Sequence, residues 1–451
     1  MRSYALATVL LLSGGAVLSC GPPQHTDASA VTVPSGSDPG IAAFIATIRA
    51  VDHHSHPNSV APDDADADAL PLDGIVPFDL PAPLHPDHPD WLAAYKVLYS
   101  YPYDDLSDVH MRTWHPTLVQ AIAAKGDQFP SWVMDRVGTE VLFANRIALG
   151  PGLPSPRVRW VSFVDALMFP LDTAGEAAET PDRAKLFPLE DRLLQRYMSA
   201  LNISKRPATL DAYLRTVVTP TLEAQRRDGC VAVKFEAAYL RALDFDASPL
   251  ATATAVYAKY ATGATPSHGD YKALQDFLFR YIAREVGRLG MAVHVHSFEG
   301  VGNYFRTAGA DPLLMESVFN DPALRHTTFV IVHGGGVQAA HAGAMLSKPN
   351  VYVDMSLMTL AYPPARLASV LRGWLTQFPE KVLFGSDASA FGPDMGWELA
   401  AWVGTKNARS ALTMALTDMI RSGEVSRSRA EEIATMVMRT NASRLYTLGL
   451  K

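Results

Sequence analysis

Eight short apolar segments alternate with helical patterns along this chain, and that alternation constrains its fold more than any other feature of the sequence. Such segments are typical of the strands in βα units, which form parallel sheets. The predicted strands cover residues 49–53, 140–143, 157–164, 230–235, 291–296, 328–333, 351–355 and 381–387. Helical patterns lie between them, for example over 271–289 and 312–319. Eight alternations favour a closed (β/α)8 TIM barrel over an open doubly wound sheet.

One barrel with insertions accommodates the 451 residues, so a single folded domain is predicted over 41–451. The range from about 57 to 226 holds more helical pattern than barrel connections need. It is predicted to be a mainly helical insertion around one mouth of the barrel. The acidic run at 63–68 is predicted to be a solvated loop, with a weak cation site as the alternative.

The first 20 residues are predicted to be an export signal that is not part of the fold. Arg2 supplies a positive charge, and residues 4–17 form an apolar run too short to span a bilayer comfortably. The segment then ends in Cys20 and resembles the lipobox of bacterial lipoproteins. This predicts lipidation of Cys20, a flexible tether over 21–40 and a lipid-anchored protein on the outer-membrane or periplasmic side of the bacterial cell envelope. Secretion without a lipid and a retained membrane anchor are the alternatives.

Charge and motifs favour a small molecule as the partner. The chain has 39 Lys plus Arg against 46 Asp plus Glu, a formal net charge of −7, so it lacks the basic excess typical of nucleic-acid binding. No glycine-rich phosphate loop follows the first predicted strand, so the sequence does not support a dinucleotide or a nucleoside triphosphate as ligand. With Cys20 lipidated, Cys230 has no partner for a disulfide. The oligomeric state is left open.

Polar side chains stand at the ends of the first and last predicted strands, where active sites of such barrels lie. The alternation of an extended chain puts His54 and His56 on one side of the first strand and His53 on the other. His54 and His56 are therefore predicted to bind one metal ion. Asp387 ends a buried apolar strand and needs pairing or coordination, so it is predicted to be a metal ligand and a proton acceptor.

Two middle strands also end in histidines. His296 lies nearer the end of its strand than His294, so His296 is predicted to be a metal ligand and His294 a residue of the substrate pocket. His333 is followed by three glycines, which let the backbone come close to a ligand. His333 is predicted to be an acid/base group or a ligand of a second metal ion.

Taken in order, these residues resemble the metal and catalytic pattern of the amidohydrolase superfamily. The closer resemblance is to its amidohydrolase-related branch, amidohydrolase family 2, and rests on residues 350–356, 384–388 and 441–446. These segments are also similar to the domain that is fused to glutamine synthetase in some proteins. The resemblance implies a distorted (β/α)8 barrel with one or two divalent ions, usually zinc. It leaves the reaction open, because the branch includes hydrolases, non-oxidative decarboxylases and isomerases.

The resemblance gives Lys234 three alternative roles. In branches with two metals the matching lysine is carboxylated and bridges both ions. In the amidohydrolase-related branch it binds an anionic substrate. The third alternative is that Lys234 forms a structural ion pair. Glu236 and Arg241 lie nearby and are candidates for the substrate pocket, although a surface ion pair explains them equally well.

The expected function is metal-assisted hydrolysis of an amide, ester or lactone-like bond. His54, His56, His296 and Asp387 would hold the ion, and Asp387 or His333 would move the proton. One alternative is a metal-dependent decarboxylase or other lyase, in which His333 would protonate carbon. The other is a lipoprotein that binds its substrate without turnover.

Overall fold

Eight parallel strands follow one another in chain order around a barrel. The computed structural model describes residues 33–59, 64–70, 79–153, 157–392 and 394–450. The strands are β1 (Ala50–Ser55), β2 (Thr139–Asn145), β3 (Val158–Phe163), β4 (Cys230–Phe235), β5 (Ala292–His296), β6 (Thr328–Val332), β7 (Val351–Asp354) and β8 (Val382–Leu383). Each pairs in parallel with the next, which confirms the predicted TIM barrel. The predicted export signal with Cys20, and the predicted tether up to residue 32, lie outside the described residues.

Backbone hydrogen bonds between β1 and the chain after β8 close the ring. Asp387 N donates to His54 O at 2.8 Å, and His56 N donates to Ala388 O at 2.8 Å. The ladder of β8 is shorter than the predicted strand 381–387, and it pairs only with Val353 and Asp354 at the end of β7. The backbone turns further on, at Asp387, where φ is 57°. The first and last strands therefore meet at the C-terminal mouth of the barrel.

Helices cover the outside of the barrel. In the described residues they are α1 (Pro39–Thr47), α2 (Pro89–Tyr99), α3 (Asp108–Ala123), α4 (Phe129–Val137), α5 (Ala174–Ala177), α6 (Pro181–Ala200), α7 (Leu210–Tyr213), α8 (Thr219–Arg227), α9 (Leu250–Tyr260), α10 (His268–Arg288), α11 (Glu316–Phe319), α12 (Ala339–Met345), α13 (Met358–Ala361), α14 (Pro364–Leu375), α15 (Trp397–Arg421), α16 (Arg427–Thr435) and α17 (Asn441–Leu445). The predicted helix 271–289 corresponds to α10, whereas 312–319 folds as a 3-10 turn followed by α11. Within the described ranges, every helix is too short or too polar to span a lipid bilayer.

The extra helices lie in two connections rather than in one block. Helices α2 to α4 lie between β1 and β2, and α5 to α8 lie between β3 and β4. The range 57–226 therefore contains two barrel strands as well as the extra helices. The first set packs against α15 through an aromatic cluster that includes Trp91, Tyr95, Phe129 and Trp397. These helices enlarge the barrel wall on the side of the β1–β8 closure.

Both faces of the strands are apolar, as expected for a parallel sheet covered on each side. The barrel interior holds an apolar cluster of Val51, Val141, Phe143, Val161, Ala232, Val330, Val332 and Leu383. The outer faces of the strands pack against the helices in a larger cluster. Polar side chains within these strands therefore need a specific partner or a ligand.

Arg409 connects the long helix α15 to the end of α1. Its side chain is 1% exposed. The guanidinium donates hydrogen bonds to the carbonyl oxygens of Ile45 and Ile48, the second at 2.8 Å. Ile45 O also accepts from Ile48 N at 3.2 Å, so Arg409 is its second donor. Carbonyl groups at the end of a helix have few intrahelical donors, so the buried arginine stabilises both acceptors.

We expect Arg409→Met to lower the free energy of unfolding by about 3 kcal/mol, because two buried carbonyls lose a charged donor. Urea denaturation followed by circular dichroism measures this change. The matched control is Arg421→Met, an exposed arginine on the same helix that donates to Gly36 O. Its effect should stay below about 1 kcal/mol, and equal losses in both variants would contradict the role given to Arg409.

Candidate functional site

His54, His56 and Asp387 converge at the C-terminal mouth of the barrel. The Nε2 atoms of His54 and His56 lie 3.4 Å apart, and they lie 3.3 and 3.6 Å from Asp387 Oδ1. The second ring nitrogens contact the surrounding protein: His56 Nδ1 lies 3.0 Å from Asp68 Oδ2, and His54 Nδ1 lies 3.1 Å from Asn145 Nδ2. His56 has the contact typical of metal-binding histidines, whose second ring nitrogen donates to a carboxylate. At His54 the contact is reversed, because the Asn145 amide N–H donates to Nδ1.

Asp52 fixes the segment that carries Asp387. Its carboxylate accepts hydrogen bonds from Ser386 Oγ at 2.6 Å and Ser386 N at 2.9 Å. Burial raises the pKa of Asp52 to about 7, although the Ser386 hydrogen bonds oppose the shift. Sequence reasoning gave Asp52 no role. The available signal was a carboxylate in an otherwise apolar strand two residues before His54.

His333 enters the same space from β6. Its backbone has φ of 66°, and Gly334 follows with φ of 56°. A Cβ atom at Gly334 would lie 2.3 Å from Trp374, so no larger residue fits without movement. His54, His333 and Asp387 each offer one donor atom, and these atoms all lie within 4.8 Å of one another. Left-handed backbone at His333 and Asp387, both non-glycine residues, is strain of the kind that concentrates at functional sites.

Asp354, the last residue of β7, and Ser356, just after it, set the orientation of His333. Ser356 Oγ donates to Asp354 Oδ1 at 2.6 Å and lies 2.8 Å from His333 Nδ1. A hydroxyl has one proton, so Ser356 Oγ must accept a hydrogen bond from His333 Nδ1–H. His333 Nε2 therefore keeps its lone pair. Asp354 Oδ1 also accepts from the backbone N–H of His333 at 2.8 Å, which fixes the position of the whole residue.

The other histidines form a deeper layer. His296 lies beside the convergent group, with its ring centroid 4.7 Å from that of His333. His294 and His53 each place Nε2 2.6 Å from the Tyr446 hydroxyl, and their ring centroids are 4.5 Å apart. His53 reaches the interior because the pairing of β1 with β2 is irregular after Asp52. His294 therefore contacts the C-terminal segment of the chain rather than the group around Asp387.

Lys234 and Arg241 occupy different surroundings. The buried Lys234 Nζ lies 3.2 Å from His54 Nε2, and among the described residues no carboxylate forms an ion pair with it. Arg241 is also buried, but its guanidinium forms an ion pair with Asp276 at 2.7 Å and donates to Gln275 at 3.0 Å. These partners occupy its donors, so Arg241 has a structural role and is set aside as a substrate ligand. Lys234 remains a candidate for the carbamate or the substrate-binding role.

The described part of the acidic run is anchored to the barrel. Asp64 Oδ1 pairs with Arg146 at 2.6 Å, Asp66 pairs with Arg196, and Asp68 contacts His56. The prediction of a freely solvated loop is therefore wrong for residues 64–68. These contacts could not be predicted, because Arg146 and Arg196 lie on elements far along the chain.

The donor set fits a divalent metal ion. Burial, together with the charge of Lys234, holds the pKa of His54 well below its usual value. Burial also lowers the pKa of His296 and of His333, so these imidazoles are neutral, the form that binds metals. Burial raises the pKa of Asp387, while His56 and Lys234 oppose that shift. Neutral nitrogens and a carboxylate oxygen are the ligands typical of zinc.

A comparison with protein families identifies this arrangement. The family described as amidohydrolase matches residues 232–448, which include Lys234, His296, His333 and Asp387. The matched part, just under half of the chain, is similar to the amidohydrolase family. Members of this superfamily are enzymes that typically bind divalent metals, so the predicted family and a divalent metal as cofactor have support. The similarity to a domain fused to glutamine synthetase stays a prediction.

Solved structures of low sequence identity share the fold. A Lactobacillus casei protein assigned as a metal-dependent hydrolase is 15% identical, with a TM-score of 0.57, over 91% of this chain and 98% of the other. The glucuronate isomerase of Caulobacter crescentus is 13% identical with a TM-score of 0.61, over 95% and 98%. The uronate isomerase of Thermotoga maritima is 12% identical with a TM-score of 0.51, over 90% and 97%. At these identities the likeness extends to the fold alone. No curated protein matches the chain.

We expect His56→Ala to lower metal content and activity together, because a nitrogen donor beside Asp387 is lost. Elemental analysis after dialysis against a weak chelator measures the bound metal. His53→Gln is the control: His53 contacts Asp354 and Tyr446, and the glutamine amide can still donate to the Asp354 carboxylate. Comparable metal loss in both variants would contradict the placement of the two histidines.

A second expectation concerns Ser356→Ala. Without the hydroxyl, His333 Nδ1–H loses its acceptor and the ring loses its fixed tautomer, so turnover should fall about 10-fold or more at unchanged metal content. Nitrogen NMR of labelled histidine should show the tautomer of His333 change, a signal that a merely structural role would leave alone. An unchanged tautomer together with full activity would contradict the orientation inferred from Ser356.

Proposed function

We propose that this protein is a metal-dependent hydrolase that cleaves an amide, ester or lactone-like bond with water. The observation that carries the proposal is the convergence of His54 Nε2, His56 Nε2 and Asp387 Oδ1 within 3.3 to 3.6 Å of one another at the barrel mouth. The similarity of residues 232–448 to the amidohydrolase family supports an enzyme with this type of centre.

His54, His56 and Asp387 would hold the metal, most simply one zinc ion, and His296 is the candidate for a further ligand. A bound divalent ion supplies Lewis acidity to the carbonyl of the scissile bond. If Lys234 carries a carbamate, it and His333 would serve a second ion; without one, the Lys234 ammonium is available to an anionic group of the substrate. The number of metal ions bound per protein distinguishes the two-ion site with a carbamate from the one-ion site with a free lysine.

His333 is the residue we assign to proton transfer. Its Nδ1–H is held by Ser356, so Nε2 is the free base, and the lowered pKa keeps that base unprotonated in the resting enzyme. In hydrolysis the oxygen of water bonds to the carbonyl carbon, and the bond from that carbon to nitrogen or oxygen breaks. His333 Nε2 takes the proton from water and delivers it to the leaving atom, so that atoms and charge balance.

The test of the proposal is a panel of amides, esters and lactones incubated with the zinc-loaded protein. New amine, alcohol or carboxylic acid products measured by mass spectrometry would support hydrolysis. Carboxylates and sugar acids belong in the same panel. Release of carbon dioxide, or an isomer formed without uptake of water, would overturn the hydrolase assignment and leave a lyase or an isomerase in its place.

The roles of Asp387 and His333 are separated by two asparagine variants. His333→Asn should reduce turnover about 100-fold while sparing the metal in a one-ion centre, because an amide cannot accept the proton at neutral pH. Asp387→Asn should reduce both metal content and turnover, since it changes a ligand. Near-normal turnover in metal-replete His333→Asn would reassign the proton transfer to Asp387.

We further propose that the protein is exported and anchored to the cell envelope through a lipid on Cys20. The charge at Arg2, the apolar run over 4–17 and the cysteine that ends it support this proposal. In a bacterial host, Cys20→Ser should move the protein from the membrane fraction to the soluble fraction and abolish labelling by a fatty acid. Unchanged membrane association without labelling would indicate a retained anchor.

A further inference from the structure

Three buried carboxyl groups lie within electrostatic reach of one another at the mouth of the barrel, outside the convergent metal group. Asp165 follows β3, Glu236 follows β4, and Glu190 lies on α6; their residues are 1%, 4% and 1% exposed. In each of them one oxygen has no hydrogen-bond partner within the described part of the chain: Asp165 Oδ1, Glu236 Oε2 and Glu190 Oε2. Burying a carboxyl oxygen without a donor is costly, so three of them in one place point to a missing ligand.

Neighbouring elements fix the positions of these three residues, here called the carboxyl cluster. Glu236 N donates to Asp165 Oδ2 at 2.8 Å, which holds the ends of β3 and β4 together. The Tyr197 hydroxyl, also on α6, donates to Phe163 O at 2.6 Å and holds the helix that carries Glu190 against β3. The unpartnered oxygens therefore belong to a built site and not to loose side chains.

The carboxyl cluster borders the metal residues. Phe163, in β3, pairs with Lys234 in β4, so Asp165 and Glu236 stand immediately beyond the strand positions beside Lys234. Glu236 lies within electrostatic reach of Lys234 and of Asp387. A ligand bound to the carboxyl cluster would therefore extend toward the atoms that converge on Asp387.

The local charges are unbalanced. Among the described residues, no Lys, Arg or His forms a close ion pair with Asp165, Glu190 or Glu236. The charge of Lys234 acts on Asp165 and Glu236 at longer range, but it is a single positive charge beside three carboxyl groups. A buried carboxyl group that lacks a close cation takes up a proton, whereas a bound cation would stabilise its ionised form. A hydroxyl group of a ligand would donate to one carboxyl oxygen but would not compensate the negative charge. A primary ammonium supplies a positive charge and three N–H donors, which equals the number of unpartnered oxygens.

We propose that the carboxyl cluster binds the primary ammonium group of the substrate, so that the enzyme acts on a small amide or ester bearing a free amino group. This proposal rests on the proposed hydrolase function for the part of the substrate that reacts. Asp165, Glu190 and Glu236 are then specificity-determining residues, and the distance from the ammonium to the metal residues sets which bond is presented for cleavage.

The first test compares two isosteric probes with the zinc-loaded full chain. Glycinamide carries an ammonium group at pH 7, whereas glycolamide has a hydroxyl in its place. Saturation-transfer NMR titrations should give a dissociation constant at least about 10-fold lower for glycinamide, as expected for charge-assisted hydrogen bonds. Equal affinities for the two probes would overturn the proposal, and this comparison requires no variant to fold.

The second test uses Glu190→Gln, which keeps the size of the side chain and removes its charge. It should weaken glycinamide binding about 10-fold and leave glycolamide binding and zinc content unchanged. Asp165→Asn should behave in the same way. The matched control is Glu398→Gln, a buried glutamate on α15 whose partner is Tyr99, and it should change neither affinity. Loss of metal from Glu190→Gln with unchanged glycinamide binding would identify a cation site and overturn the proposal.

The outcomes distinguish this proposal from the proposed function. Selective glycinamide binding without hydrolysis of any compound in the panel would retain the ammonium site and reject the hydrolase. Hydrolysis of neutral amides, with glycinamide and glycolamide bound equally, would retain the hydrolase and reject the ammonium site.

Discussion

The pairing of β1 with the chain after β8 brings the two ends of the barrel together, and the candidate metal centre depends on it. Asp387 N donates to His54 O, and the Asp52 carboxylate holds Ser386 from the other strand. These bonds place Asp387 Oδ1 opposite the histidine nitrogens. They also account for the left-handed backbone at Asp387, because the chain must turn there to bring its carboxylate inward while its N–H stays bonded to β1.

Much of the barrel could be predicted from the sequence because parallel strands buried on both faces leave continuous apolar runs. The residues at strand ends could be predicted for the same reason: His56, His333 and Asp387 are polar where apolar residues are expected. The boundaries of β8 were less predictable, since its ladder ends where its partner strand β7 ends. The extra helices could be predicted from their sequence pattern. Their division between two barrel connections could not.

The contacts that orient the side chains of the site could not be predicted from the sequence. Ser356 and Asp354 orient His333 from another strand, and a short polar run after a strand carries no sign of that pairing. Arg241 was a candidate for substrate binding, yet its guanidinium forms an ion pair with Asp276, 35 residues later in the chain. Asp165 and Glu190 escaped notice because a single acidic residue in a helix or turn is ordinary. Only the fold shows that each is buried with one carboxyl oxygen that lacks a donor.

The closure of the barrel has a consequence for how the protein is made. Ser386 and Asp52 are 334 positions apart, so the metal-binding group is incomplete on the ribosome until nearly the whole domain has been synthesised. A nascent chain or a C-terminally truncated product would hold only the histidine half of the centre. Since a metal bound by the complete group stabilises only the closed barrel, metal supply during biogenesis would favour finished molecules over partly folded ones.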